Sequence, residues 1–288
     1  MKGMAIVAAV CAASFCASAA AQSVRVEAVQ YPAWLERGGY SVPLVPGTAL
    51  RANDAVRTGG NARAVLRLAE GSTVKLGENA RFRIEHIEQR GLFRAALQVL
   101  AGAFRFTTHA IAKHRHRDVT IKVATITAGI RGTDVWGKAT GERDLVCLLE
   151  GKVSVAAEGS QPVTLDKPLD FYQKPREGAP RVAHVDAAQV KIWTRETEIA
   201  RDGAAAKVGG DWRVIASKFR RRDTALALRS RLRADGYPAQ VLDEKNGIFV
   251  VQVTGLDGEM AARALMANLR GTPGVTIPSV GRIGAPGR

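Results

Sequence analysis

From residue 211 onward the sequence repeats itself at a fixed spacing. Trp212 and Phe249, Val214 and Val251, Ala216 and Val253, and Phe219 and Leu256 each stand 37 positions apart. So do Ala225 and Ala262, Leu228 and Leu265, Leu232 and Leu269, and Arg233 and Arg270. The first four pairs alternate, or nearly so, as apolar residues do along a strand; the last four recur at three- and four-residue steps, as on a helix. Asp223 and Asp257 stand where helix N-caps belong. Gly236 and Gly271 stand where left-handed C-caps belong, with Pro238 and Pro273 just beyond. Ala239–Leu242 and Val275–Ile277 add a strand to each half, and Glu244-Lys245-Asn246-Gly247 reads as a hairpin turn. The pattern predicts β-α-β-β-α-β, an α+β unit with two helices on one sheet face and nothing on the other. If Trp212, Val214 and Ala216 face the helices, then Arg213, Ile215 and Ser217 face outward, and the second half contributes Val250 and Gln252. Next to this face, Lys218, Arg220, Arg221 and Arg222 form a basic run at the first strand-to-helix junction, suited to an anionic polymer or simply to solvent.

The other end of the chain is of a different kind. Lys2 is followed by an uncharged run from Gly3 to Ala21, most apolar between Met4 and Phe15. Ala19-Ala20-Ala21 has the small-residue pattern of a signal-peptide cleavage site, which places the cut between Ala21 and Gln22. Half of that run is Ala, Ser or Gly, too weakly apolar for a stable membrane anchor, and no later stretch could span a bilayer. Cleavage removes Cys11 and Cys16 and leaves Cys147 alone in an apolar run, so no intrachain disulfide is expected. With 42 Lys and Arg against 27 Asp and Glu, the net charge is +15. Such a charge invites a nucleic-acid reading, and open sheets of this topology bind single strands through stacked aromatics. No aromatic falls on the outward positions, and export separates the protein from RNA, so nucleic acid is not expected as a partner.

Residues 22–185 read as one all-β domain, an antiparallel sandwich or roll. Turn signals recur at short intervals, and period-two stretches lie between them. Ala64, Leu66 and Leu68 share one face and Arg63 and Arg67 the other; Phe82 and Ile84 alternate with Arg81, Arg83 and Glu85. Such strands bury one face and wet the other, and the outward cations account for much of the charge. Residues 186–210 then give an amphipathic helix carrying Val190, Ile192, Trp193 and Ile199, started by Asp186, and a flexible linker from Arg201 to Gly210. The repeat occupies 211–280, and 281–288 read as a disordered tail.

Catalytic chemistry is poorly supplied. There is no Gly-x-Ser-x-Gly elbow, no phosphate-binding glycine loop and no His-Glu-x-x-His, and no cofactor or catalytic residue is expected. Gly129-Ile130-Arg131-Gly132-Thr133-Asp134 could cradle an anion or mark a tight turn. His114-x-His116, with His109 nearby, is flanked by Lys113, Arg115 and Arg117, which would repel a divalent cation. It reads as a solvated hairpin tip, with no metal. Cys147 reads as a small buried core residue.

Both halves resemble known families. Pro46–Leu50, Asp54–Gly59, Leu66–Ser72, Leu100–Phe104, Thr127–Asp134 and Leu148–Val153 occur in an order that resembles the FecR-type periplasmic domain. That resemblance implies an interaction or sensing module with an envelope protein partner. Trp212–Phe219, the Ala225 to Pro238 helix with its exit, and Phe249–Val253 resemble the SPOR (sporulation-related repeat) domain. Its members bind peptidoglycan glycan strands stripped of stem peptides, through the open sheet face, in the cell envelope and at division sites. Ile215 stands where the family pattern has Gln, Ser217-Lys218 replaces Gly-Ser, and Thr254-Gly255 replaces Gly-Pro. The resemblances together imply a periplasmic, non-enzymatic binding protein, or alternatively a protein–protein adaptor that binds no glycan.

Overall fold

A computed structural model of the chain describes residues 24–90, 92–108, 117–244 and 246–284. The leader with its Ala21–Gln22 cleavage site, and His109, His114 and His116, lie outside the described residues. The N-terminal strands form two sheets. One contains β1 (Val24–Gln30), β4 (Ala49–Leu50), β6 (Arg63–Leu68), β7 (Thr73–Leu76), β12 (Asp134–Ala139), β13 (Arg143–Glu150), β16 (Asp170–Pro175) and β17 (Arg181–His184). The other contains β2 (Ala33–Arg37), β3 (Tyr40–Pro43), β5 (Ala55–Thr58), β8 (Arg81–Arg90), β10 (Arg117–Val123), β11 (Ile126–Ile130), β14 (Val153–Ala157) and β15 (Val163–Leu165).

One long strand, β9 (Leu92–Thr107), belongs to both. Its first part pairs with β8 and β10, and its last part pairs with β7 and β12. The corner falls at Gly102, with φ of +81° and a Cβ position only 2.5 Å from the backbone of Ala80. No L side chain fits there, so glycine lets one strand turn from one sheet into the other. The β9–β10 pairing is parallel, the one departure from an otherwise antiparallel domain among the described strands. Alternation sets the core: Ala64, Leu66 and Leu68 are buried while Arg63 and Arg67 stay at the surface. Phe82, Ile84, Phe104 and Phe106 fill the space between the sheets.

The segment after β17 departs from its sequence reading. Asp186 caps helix α1 (Ala187–Arg195), accepting from the Gln189 N–H at 2.8 Å. Val190 is buried, but Ile192 is 57 % exposed and Ile199 lies beyond the helix end, so the apolar stripe is narrower than the spacing suggested. Trp193 stacks on Trp136 of β12, with centroids 5.0 Å apart and planes 10° from parallel, and meets the edge of Phe171. The chain then crosses the outer face of the first sheet. Glu196 pairs with Lys138 at 2.7 Å, and Glu198 takes Lys75 at 2.6 Å and Arg105 at 3.3 Å. Ala200 N–H donates to Gln30 Oε1 at 2.9 Å. Residues read as a flexible linker instead hold β18 (Ala205–Lys207), antiparallel to β1 and touching β21 (Ile248–Leu256) at Ala206 and Leu256. The outward cations of the sheet had a partner in the chain itself: carboxylates spaced two residues apart, which composition alone cannot reveal.

The C-terminal unit has the expected β-α-β-β-α-β order: β19 (Trp212–Phe219), α2 (Arg222–Ala234), β20 (Gln240–Glu244), β21, α3 (Glu259–Leu269) and β22 (Ser279–Arg282). The sheet order is β20-β21-β19-β22, all antiparallel. Ala225, Leu228 and Leu232 of α2, and Ala262, Leu265 and Leu269 of α3, are buried against it, each leucine contributing about 1.5–3 kcal/mol. The last strand forms at 279–282 rather than 275–277, and so occupies part of the expected tail. The caps also differ: Arg221 and Gly258 hold the N-cap positions, while Asp223 lies in the first turn and Asp257 pairs with Lys207.

Candidate functional site

The helix-free face of this sheet is set by its register. Val214 opposes Val253 and Ser217 opposes Val251 on the helix side; Ile215 opposes Gln252, and Lys218 opposes Val250, on the other. Between Ile215 and Ser217 the register shifts by one residue, so Ala216 is a β-bulge. A second shift falls at Gly255 in β21, where φ is +81°. Each bulge lies within the three-residue step between apolar positions, 216 to 219 in one half and 253 to 256 in the other. A strict period of two has no room for such a step.

The bulge reverses one sequence assignment. Ser217 turns inward and is 2 % exposed. Its Oγ donates to Gly274 O at 2.8 Å and accepts from Thr276 N–H at 2.9 Å, which ties the segment entering β22 to β19. Lys218 takes the outward place instead and is exposed. Val250 and Gln252 are on the helix-free face but sit low in it, at 1 % and 8 % exposure. In register, Lys218 and Leu242 flank Val250, and Ile215 and Gln240 flank Gln252.

Polar groups gather around Gln252. Arg213 Nη1 donates to Gln252 Oε1 at 3.3 Å, and Gln240 Nε2 donates to Thr254 Oγ1 at 3.2 Å. Gln240 directly opposes Gln252, so two amides, one guanidinium and one hydroxyl share the face with Ile215, Leu242 and Lys218. Gln240, Leu242, Thr254 and Lys218 were not among the sequence candidates. Period two from Gln252 would have given Thr254, and the three-residue apolar step would have given Lys218. Gln240 and Leu242 needed the β20–β21 register.

The basic run does not act as one patch. Lys218 belongs to the sheet face, Arg220 and Arg222 are exposed, and Arg221 is bound to Asp223. The Arg221 guanidinium and the Thr224 N–H hold the Asp223 carboxyl well below the usual carboxylate range. Arg131 is exposed at a turn with Gly132 at φ +75°. Cys147 is fully buried, and burial, with Asp170 adding to it, pushes its thiol up to about 12. Among the described residues no cluster of His, Cys, Asp and Glu could hold a metal ion. No helix among them is long and apolar enough to cross a membrane.

The two units meet without a gap. Trp34 Nε1 donates to Ala234 O at 2.9 Å, Ala33 N–H donates to Gly236 O at 3.3 Å, and the rings of Tyr31 and Tyr237 lie 6.4 Å apart. The buried apolar cluster runs continuously through both. The β domain is thus packed directly against a small α+β module whose helix-free sheet carries mixed polar and apolar groups.

The chain carries a FecR domain followed by a SPOR domain. The FecR protein family matches residues 54–154 and the SPOR domain family residues 208–277. Both are non-catalytic binding or regulatory families, and SPOR domains bind peptidoglycan. No curated protein matches the chain. Two crystal structures of a candidate anti-sigma factor from Parabacteroides distasonis are similar to it, each with a TM-score of 0.42. One is 15 % identical over 49 % of this chain and 64 % of that one, and the other is 13 % identical over 76 % and 91 %. The chain thus spans just under two thirds of the first structure.

Proposed function

We propose that this is an exported, non-enzymatic periplasmic protein that holds to peptidoglycan through the helix-free face of its SPOR domain, while the FecR domain docks an envelope partner. The observation that carries this reading is the cluster of Arg213, Gln240, Gln252 and Thr254 on that face. Sugar hydroxyls both donate and accept, and side-chain amides match them in both roles. Ile215 replaces one amide of the family pattern, and the opposed Gln240–Gln252 pair supplies amides in its place. The ligand is glycan stripped of stem peptides, which leaves the saccharide chain free to lie along the sheet. The signal peptide delivers the chain to the compartment that contains it.

The test is co-sedimentation of the full-length mature chain with purified sacculi, with and without amidase treatment, at low and high salt. Amidase-dependent pelleting that survives high salt is the expected result. Pelleting only at low salt would reduce the interaction to charge, which salt screens beyond about 8–10 Å, and would overturn denuded-glycan recognition.

A second reading has its own observation: Ile215 and Leu242, the latter 43 % exposed, give the same face an apolar strip suited to a protein partner. Ile215→Lys separates the two. A hydrophobic partner contact weakens sharply, whereas glycan binding through Gln240 and Gln252 changes little.

A further inference from the structure

The helix-free face of the SPOR sheet carries two cations with no carboxylate of their own. Arg213 and Lys218 both lie on β19, two outward places apart, with Ile215 between them. The ion pairs of this unit join Lys207 to Asp257, Arg221 to Asp223, Arg263 to Glu259 and Arg282 to Asp211. Among the described residues none takes Arg213 or Lys218. Asp211 is thus occupied, and Glu244 opposes Ile248 at the tip of the β20–β21 hairpin, beyond Leu242.

The Arg213 guanidinium is held in place. Nη1 donates to Gln252 Oε1 at 3.3 Å, and Nε is buried. Gly281 opposes Arg213 on β22, its Cβ position 4.0 Å from Nε, where glycine has no side chain to cover the guanidinium. Nη2 has no partner and is not buried, so it is the end that a ligand lying along the face would meet. Lys218 is exposed, and its ammonium has three donors to offer.

These two places select an anion, and the ligand of the proposed function supplies one. Amidase hydrolysis splits the amide that joins the stem peptide to the lactyl group of muramic acid. The peptide leaves with the amine, and the glycan keeps a carboxylate where the intact strand has a neutral amide. A hydrogen bond to an ionised group is roughly twice as strong as a neutral one. The cations therefore tell a stripped strand from an intact one by charge as well as by bulk. Along β19 they stand roughly 13–16 Å apart, at about 3.3 Å per residue. One muramic acid residue cannot reach both, whereas a strand with a carboxylate on every second sugar can. Ile215 between them offers a sugar ring an apolar place to pack.

We infer that Arg213 and Lys218 read the lactyl carboxylates of denuded glycan and are the specificity-determining residues of this face. The inference rests on the SPOR reading above, and the experiment separates the two. Soluble glycan strands from amidase-treated sacculi are divided, and in one half carbodiimide coupling to methylamine turns each lactyl carboxylate into a neutral amide. The full-length mature chain is titrated calorimetrically with each. The unmodified strand is expected to bind about 10-fold or more tightly than the capped one. Partly buried contact pairs are screened much less than distant charges, so this preference is expected to persist at high salt. Arg213→Gln combined with Lys218→Gln is expected to bind both strands alike, at the parent's affinity for the capped one, and Arg213→Lys alone to keep the preference. Lys218→Gln alone, at an exposed place where folding is not at stake, is expected to reduce the preference about 3-fold or more. Circular dichroism confirms the fold of each variant. The inference is overturned if the double variant still prefers the unmodified strand or if Lys218→Gln keeps the full preference. Equal binding of both strands by the parent chain sinks it and spares glycan binding, whereas binding of neither strand sinks the SPOR reading and this inference with it.

Discussion

Gly236 is where the seam between the domains can be measured. It follows α2 with φ of +84° and closes a Schellman motif: Gly236 N–H donates to Arg233 O at 3.1 Å, and Tyr237 N–H to Leu232 O at 2.9 Å. A Cβ at Gly236 would lie 2.8 Å from Trp34 Cε2 and Cζ2 and 3.0 Å from Pro32 Cβ, all in the N-terminal β strands' half of the chain. Gly236→Ala therefore carries two penalties. A left-handed backbone costs an L residue about 1–2 kcal/mol, and overpacking a filled site costs about 1–3 kcal/mol. The sum is about 2–5 kcal/mol. Gly271 provides the control, because it has nearly the same φ, +85°, with nothing within 4 Å of its Cβ position. Gly271→Ala should cost only the backbone part, about 1–2 kcal/mol. The difference between the two variants, about 1–3 kcal/mol, isolates the packing of Trp34 and Pro32 on the helix end. Urea denaturation followed by circular dichroism measures both losses, and Trp34 fluorescence reports whether the seam opens first. Equal losses for the two variants would refute the claim that the domains share a packed interface.

Further outcomes follow from single groups. Ser217→Ala leaves the Gly274 and Thr276 groups without their partner and should cost about 1–3 kcal/mol, whereas Lys218→Ala should leave stability unchanged and weaken sacculus binding. Thermal denaturation of each, paired with pelleting, checks the inward and outward assignments. Cys147 should stay inert to a thiol reagent at pH 8 in the folded protein and react at once in denaturant, since burial disfavours its thiolate. Glu70 is 3 % exposed, and burial raises its carboxyl above the usual value. The folded state thus holds that proton more tightly than the unfolded chain, and stability falls as pH rises from about 4.3 through the raised folded value. Glu70→Gln should remove this fall, stabilising the protein at neutral pH and changing little in acid. A pH series of urea midpoints showing no difference at neutral pH would contradict it.

What could be read in the sequence depended on whether a feature was local. Ala64, Leu66 and Leu68 against Arg63 and Arg67 gave a strand with a dry face and a wet one because side chains alternate along an extended backbone. The repeat gave the topology of the SPOR unit because Leu228, Leu232, Leu265 and Leu269 recur at helical steps that only a packed helix rewards. The face itself was half legible. Arg213, Ile215, Val250 and Gln252 lie where period two put them, but Ser217 does not, because one extra residue at Ala216 inverts everything beyond it.

The chain's own chemistry therefore determined most of its elements, their order and the fold class of each half, which follow from nearest-neighbour periodicity and turn residues, but not β18 or the place of β22. The tertiary structure alone decided how they are joined. Whether residues 196–207 wander or lie down depended on where Lys75, Arg105, Lys138 and Gln30 ended up, on strands distant in sequence. The same holds for the meeting of Trp34 with the end of α2 and for the Trp136–Trp193 stack. Contacts between residues far apart in the chain leave no periodic trace in it, because each partner is placed by a different strand and only the closed sheets bring them within reach.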